Sequence, residues 1–306
     1  MIKLKINNET DMLKEVIVGI SNDMGGVPNI EDCYDPKSKQ NVLAGTYPNE
    51  NDCTNELHSL VQVLEKYDVK VYYPDNIKNV NQIFTRDIAF VVDDKIVLSN
   101  IIINRSKELY GINRIMNNIP DENIIILPKE ARVEGGDVIL CNHFVFVGYS
   151  EEKDFNKYQV SRTNRAGLEF LQDSFPNKEV KGFELTKSDN NPRENSLHLD
   201  CCFQPIGSSS SILYKKGFKN KFDVDFIVGY FGVDNIIEIT KEEMYNMNSN
   251  IFSISEDIVI SEESFSRVNS ELRKRGFVVE AVPYSEIAKM EGLLRCSTLP
   301  LSRKVN

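Results

Sequence analysis

Tryptophan is absent from the chain, and histidine is scarce: His58, His143 and His198 are the three among 306 residues. Chemistry that needs an imidazole therefore has three candidates. The six cysteines, at 33, 53, 141, 201, 202 and 296, form no Cys-x-x-Cys pair and no disulfide-scaffold density, so reduced thiols are expected. No apolar run approaches the ~18 residues of a membrane span, and the opening MIKLKINNET lacks the apolar core of a signal peptide. A cytoplasmic protein with no membrane partner is expected. Basic residues are in deficit: 36 Lys and Arg against 46 Asp and Glu leave a net charge of −10. That balance argues against nucleic acid and anionic lipid and is compatible with a small cationic ligand. The rest is ordinary for a soluble globular protein, with 41% hydrophobic and 27% charged residues.

Identical residues do not recur at a fixed period, but a pattern of elements does. Hairpin-like units read Ile88–Asn100, turning at Asp93-Asp94; Val138–Tyr149, turning at Asn142-His143; His198–Lys215, with the loop Gly207-Ser208-Ser209-Ser210; and Ile251–Ser261, turning at Glu256-Asp257. Each is followed by a predicted helix (near 105–118, 161–174, 219–231 and 262–275) and a short strand (Asn123–Leu127, Glu179–Leu185, Asn235–Ile239, Phe277–Val282). The N-terminus supplies strand Glu15–Ile20, helix Asp52–Lys66 and strand Val69–Tyr73. Five such units predict a closed, pseudo-fivefold α/β arrangement; an irregular two-domain α/β protein is the alternative. Ser21–Asn51 breaks the rhythm as a long aperiodic stretch, either a lid or a passive surface excursion.

Four polar clusters lie where units begin or the chain closes: Phe84-Thr85-Arg86-Asp87, Glu134-Gly135-Gly136-Asp137, His198-Leu199-Asp200 and Leu294-Arg295-Cys296-Ser297-Thr298. Units around one axis would bring these into one pocket holding a thiol, an imidazole and several carboxylates. That set suits a guanidinium, a planar cation with five N–H donors and no acceptor. Asp87 and Asp200 would hold its edges. Its carbon, a poor electrophile, needs a thiolate such as that of Cys296. His198 would protonate the leaving amine and deprotonate water, with Glu134 orienting the imidazole. Gly135 and Gly136 would let backbone pass close to the ligand. Taken singly, each residue has a blander reading. His198 fits a satisfied core histidine, Cys296 a small buried hydrophobe, Arg86-Asp87 an ion pair, and Glu-Gly-Gly-Asp a turn. Cys201-Cys202 beside His198 lacks the usual zinc spacing, and no metal or cofactor is expected. His58 and His143 read as solvated bystanders.

Together with Ser161-Arg162-Thr163-Asn164 and the closing Gly292–Leu301 segment, these clusters resemble the guanidino-group-modifying, or pentein, superfamily. It includes arginine deiminases, amidinotransferases and dimethylarginine dimethylaminohydrolases. The motifs occur in the family's order from about residue 12 to the C-terminus. The resemblance implies a five-bladed pseudo-symmetric α/β propeller as a single catalytic domain, residues 1–306. It implies Cys296 as nucleophile, His198 as acid/base, Glu134 as its partner, and Asp87 and Asp200 as guanidinium ligands. By analogy Arg162 meets the substrate's α-carboxylate. Asp200 favours an unmethylated guanidinium, whereas Arg162-Thr163-Asn164 and Gly292-Leu293-Leu294 are closer to the dimethylarginine enzymes. The expected activity is a cysteine-dependent hydrolase of the arginine deiminase type on an arginine-like small molecule. Amidino transfer from arginine is the runner-up. Behind these rank a dimethylarginine hydrolase, an arginine dihydrolase and a non-catalytic binding module. A homo-oligomer is compatible with the sequence.

Overall fold

The structure, a computed structural model, describes residues 1–304. Among them fifteen strands form five three-stranded sheets. The first sheet joins β1 (Met12–Val18) and β2 (Lys70–Tyr72) to the last strand, β15 (Thr298–Lys304). The others are β3 (Ala89–Val92), β4 (Lys95–Leu98) and β5 (Ile124–Ile126); β6 (Val138–Cys141), β7 (Phe144–Tyr149) and β8 (Glu179–Glu184); β9 (Phe203–Ile206), β10 (Ser210–Leu213) and β11 (Ile236–Glu238); and β12 (Phe252–Ser253), β13 (Ile258–Glu262) and β14 (Val278–Val282). This is the expected five-bladed α/β propeller.

Each blade repeats one rule. The first two strands pair antiparallel and the third pairs parallel to the second. A parallel partner needs a crossover, and the intervening helices provide it. The antiparallel pairs need tight turns, and residues that tolerate positive φ supply them: Asp93 (φ 53°), Asn142 (φ 56°) and Gly207 (φ 59°). Burial grades across a blade. β3, β6 and β9 are buried throughout, whereas β2, β5 and β11 are half exposed. The first strands and the turns before them therefore face the centre. Consecutive turns touch one another there: Thr85–Ile88 meets Gly135–Asp137, which meets Leu199–Cys201.

Closure is made by the chain's two ends. β15 takes the place of a first strand in the blade of β1 and β2, pairing from Val18–Thr298 to Met12–Lys304 with a shift of register at Glu15. Arg303 ties this blade to the fifth by donating to the carbonyls of Asp11 (2.6 Å) and Ser253 (2.9 Å).

Three expected elements differ in ways that bear on the site. The helix near 105–118 is a 3-10 run, Ile103–Ile112, followed by the short helix Asn113–Met116. A 3-10 turn eclipses positions i and i+3, and Arg105 and Glu108 use that alignment for a fork-to-fork pair at 2.8 Å on both arms. The helix near 161–174 begins at Arg165, because the Asn164 side chain accepts from Gly167 N and caps it. Residues 161–163 stay outside the helix, and Arg162 reaches the centre. Ser21–Asn51 is not wholly aperiodic. It contains the helix Pro36–Leu43, whose first turn is capped by Asp35 Oδ1 accepting from Ser38 N (2.7 Å).

Candidate active site

The turns that begin the blades carry the polar motifs. Asp87 lies two residues before β3, Glu134 four before β6, Asp200 three before β9 and Cys296 two before β15. His198 precedes the 3-10 turn Leu199–Cys201. The structure brings all of these to one place and buries them: Cys296 is 2% exposed and His198 1%.

Around the imidazole, His198 Nε2 donates to Glu134 Oε2 at 2.9 Å, and Nδ1 lies 3.6 Å from Asp87 Oδ1. Burial works against a charged imidazole, but Asp87, Glu134 and Asp137 outweigh it and raise the His198 pKa above its usual 6.5. Glu134 is buried, which alone would raise it. Arg162, His198 and Arg105 instead hold it well below the carboxylate range. Gly136 is required here, since a Cβ would fall 2.5 Å from His198 Nδ1 and 2.9 Å from Asp87 Oδ1.

Around the thiol, Cys296 Sγ lies 3.7 Å from Asp200 Oδ2 and 3.2 Å from Asn250 Nδ2. Burial first, then Asp200 and Asp87, push the thiol well above its usual value, against the Leu293 N–H and Arg295. The resting sulfur is therefore a thiol, and an arriving cation would favour the thiolate.

The carboxylates are already compensated. Asp87 Oδ2 accepts from Arg105 Nη1 (2.7 Å) and Asp200 Oδ2 from Arg295 Nη1 (2.8 Å). Asp87 Oδ1 is buried without a hydrogen-bond partner. Arg162 spends its donors on Glu134 (3.2 Å), the Tyr34 carbonyl (2.8 Å) and the Gln159 carbonyl (3.1 Å). Arg86 does not pair with its neighbour Asp87. It donates to the Thr298 carbonyl at 2.8 Å and faces Glu9 at 3.9 Å. Asp87, Glu134 and His198 offer ligand atoms within 4.8 Å of one another, as a metal site would, but Arg105 and Arg162 already supply the positive charge there. Cys201 and Cys202 are buried apart from that trio, against Asp200 and the Leu199 carbonyl. His58 and His143 lie outside the site, His58 exposed against Gln62 and His143 in the β6–β7 turn.

Several residues of the site escaped sequence reading. Arg105 and Glu108 stood inside a predicted helix. Glu9, held at about pKa 2 chiefly by Arg295 and Arg86 against its burial, comes from the N-terminal segment before β1. Neither has a local signature. Asn250 does: it stands two residues before β12, the place in the fifth blade equivalent to those already singled out.

Residues of Ser21–Asn51 close over this centre. Tyr34 stacks on Arg105 (5.9 Å) and Arg162 (5.6 Å). Lys37 N donates to Glu291 Oε2 (3.3 Å), and Asn41 Nδ2 to the Lys289 carbonyl (3.1 Å). A cavity of about 400 Å³ lies beside it, bounded by Tyr34, Asp35, Phe84, Glu108 and Met290.

Fold and site together define an enzyme of the class that modifies guanidino groups. Residues 36–303 match the family described as N,N dimethylarginine dimethylhydrolase, eukaryotic. The chain belongs to that family and, with it, to the pentein superfamily. The Bacillus subtilis protein YkgA is 30% identical over 253 residues, covering 81% of this chain and 80% of its own. An arginine deiminase of Oenococcus oeni is 22% identical over 264 residues, 73% of this chain and 61% of that protein. Among solved structures, the N-terminal domain of ArgZ, a cyanobacterial arginine dihydrolase, superposes with a TM-score of 0.80 at 19% identity, covering 96% of this chain and 98% of that one. SxtG, an amidinotransferase from Microseira wollei, gives 0.78 at 17% identity, covering 99% and 98%.

Proposed function

We propose that the chain hydrolyses the guanidinium of free arginine or a close unmethylated analogue to the ureido product, releasing ammonia. The observation that carries this reading is the unpartnered Asp87 Oδ1, buried beside His198 in a centre whose thiol is flanked by a second carboxylate, Asp200. A guanidinium between Asp87 and Asp200 satisfies both with N–H donors. Its charge favours loss of the Cys296 proton to solvent. The sulfur then attacks the central carbon. Protonated His198 gives its proton to the leaving amine, and ammonia departs. Neutral His198 next takes a proton from water as the water oxygen adds to the amidino carbon, and the C–S bond breaks to return the thiol. Glu134 keeps the imidazole basic throughout. For the α-carboxylate, Arg162 remains the proposed ligand, exchanging its bond to the Tyr34 carbonyl for the substrate.

An N,N-dimethylated nitrogen has no N–H to offer a carboxylate, so Asp200 favours arginine over dimethylarginine. Purified protein supplied separately with arginine and N,N-dimethylarginine should release citrulline and ammonia from the first; dimethylamine from the second alone would overturn the reading. Amidino transfer is the second reading, supported by the cavity of about 400 Å³ beside the centre, which has room for an acceptor amine. Ornithine formed from arginine only when glycine or another amine is added would establish it. Ornithine and ammonia formed with no acceptor would point to a dihydrolase. Cys296→Ser should lower turnover at least roughly 10⁴-fold with an unchanged circular dichroism spectrum; activity that survives removes Cys296 as nucleophile.

A further inference from the structure

Four blades send titratable side chains to the centre from the turn before their innermost strand: Cys296, Asp87, Glu134, and His198 with Asp200. The fifth sends Asn250, two residues before β12, the same offset as Asp87 before β3 and Cys296 before β15. Asn250 is wholly buried. Its carboxamide has one workable orientation. Oδ1 accepts from two backbone N–H groups, those of Arg295 (3.1 Å) and Cys296 (3.2 Å). A flipped amide would set NH₂ against both donors. Nδ2 must therefore face Cys296 Sγ, at 3.2 Å. The adjacent Ser249 hydroxyl donates to the Asp200 carbonyl at 2.9 Å, which braces the same segment against the third cluster.

A neutral thiol is a weak hydrogen-bond acceptor, while a thiolate accepts strongly. A donor already fixed on the sulfur therefore gains strength as charge develops and needs no reorganisation. Most groups facing the sulfur are anionic or neutral. They include Asp200 and Cys201 from the turn before β9, Asp87 from the turn before β3, and Tyr284 after β14, while Arg295 adds a cation. Resting on the reading of Cys296 as nucleophile, we propose that Asn250 is a catalytic residue that donates a hydrogen bond from Nδ2 to the Cys296 sulfur and stabilises the thiolate as it forms. Asn250 keeps both amide protons throughout.

Iodoacetamide alkylation reads this without substrate, by mass spectrometry of the tryptic peptide Cys296–Arg303. Asn250→Asp keeps an acceptor for both N–H groups but replaces the donor with a second oxygen. Asn250→Ala removes both. In each, the midpoint of the alkylation–pH profile should rise by about one unit or more, and the rate at about pH 8.5 should fall roughly tenfold or more. Alkylation of the more accessible Cys33 in the same sample should not change. A folded variant of either kind with the wild-type profile overturns the proposal. Should both fail to fold, wild-type protein decides: the Asn250 side-chain ¹⁵N-amide resonances must shift with the midpoint of alkylation, and resonances that stay fixed overturn it. Because no substrate is used, failure to turn over arginine leaves this result standing, and a negative result here leaves the arginine assay untouched.

Discussion

At the residue scale the site is a mosaic of buried carboxylates and guanidiniums, and most of its side chains have two tasks. Glu134 shows this best. It accepts from His198 and also neutralises Arg162 and, at 3.8 Å, Arg105. Breaking a buried pair by removing one partner costs about 3–5 kcal/mol, because the other charge stays buried. Glu134→Gln should therefore lose both activity and stability. The pH dependence has a definite sign. Glu134 is depressed below its ordinary 4.5, so its contribution is full above that value and fades as pH falls through the folded-state pKa. His198 is raised above 6.5, so its contribution is full below that value and is lost as pH rises through its folded pKa. Urea unfolding should thus show the widest gap between wild type and Glu134→Gln between about pH 4.5 and 6.5, narrowing in acid and in base. A gap independent of pH would mean that the loss is one of packing and not of charge.

At the element scale the segment Ser21–Asn51, with its helix Pro36–Leu43, lies over the centre. They rest on the segment that leads to Cys296, through Lys37 N to Glu291 and Asn41 to the Lys289 carbonyl. They rest on Arg105 and Arg162 through Tyr34. A desolvated cation–π contact is worth about 1–2 kcal/mol. Tyr34→Ala should therefore raise the rate of Cys296 alkylation roughly tenfold and expose residues 21–49 to limited proteolysis. An unchanged rate would show that access is set elsewhere. The composition of this segment marked it as irregular, but its docking surface is made of residues distant in sequence, from Arg105 and Arg162 to Lys289 and Glu291. No local pattern announces such contacts.

At the scale of the whole molecule the ring is closed by pairing β1 with β15, and Arg303 clasps that blade to the fifth. Hydrogen bonds from a charged donor contribute about 1.5–3 kcal/mol each, and removal strands two buried carbonyls. Arg303→Ala should lower unfolding free energy by about 2–4 kcal/mol without changing which residues meet at the centre. A thermal melt reads the loss, and a variant as stable as wild type would show that closure rests on strand pairing alone.

The repeat was legible in the sequence because each blade is built from local rules: a left-handed turn residue at Asp93, Asn142 or Gly207, an apolar run, a helix and a β-branched strand. The motifs at 84–87, 134–137, 198–200 and 294–298 were legible because a fivefold arrangement makes equivalent positions converge. Asn250 stands at an equivalent position in the fifth blade, but its uncharged side chain carried no chemical flag, and the sequence reading passed over it. Tertiary structure alone decided the ion pairing. Arg86 looks toward Glu9 and Thr298 and not toward Asp87; Asp87 and Asp200 are held by Arg105 and Arg295; Arg162 rests on Glu134 and Tyr34. Secondary structure follows from neighbours along the chain. The partner of a buried charge is set by whichever opposite charge the closed ring brings within about 3–4 Å, and that is a property of the packed molecule.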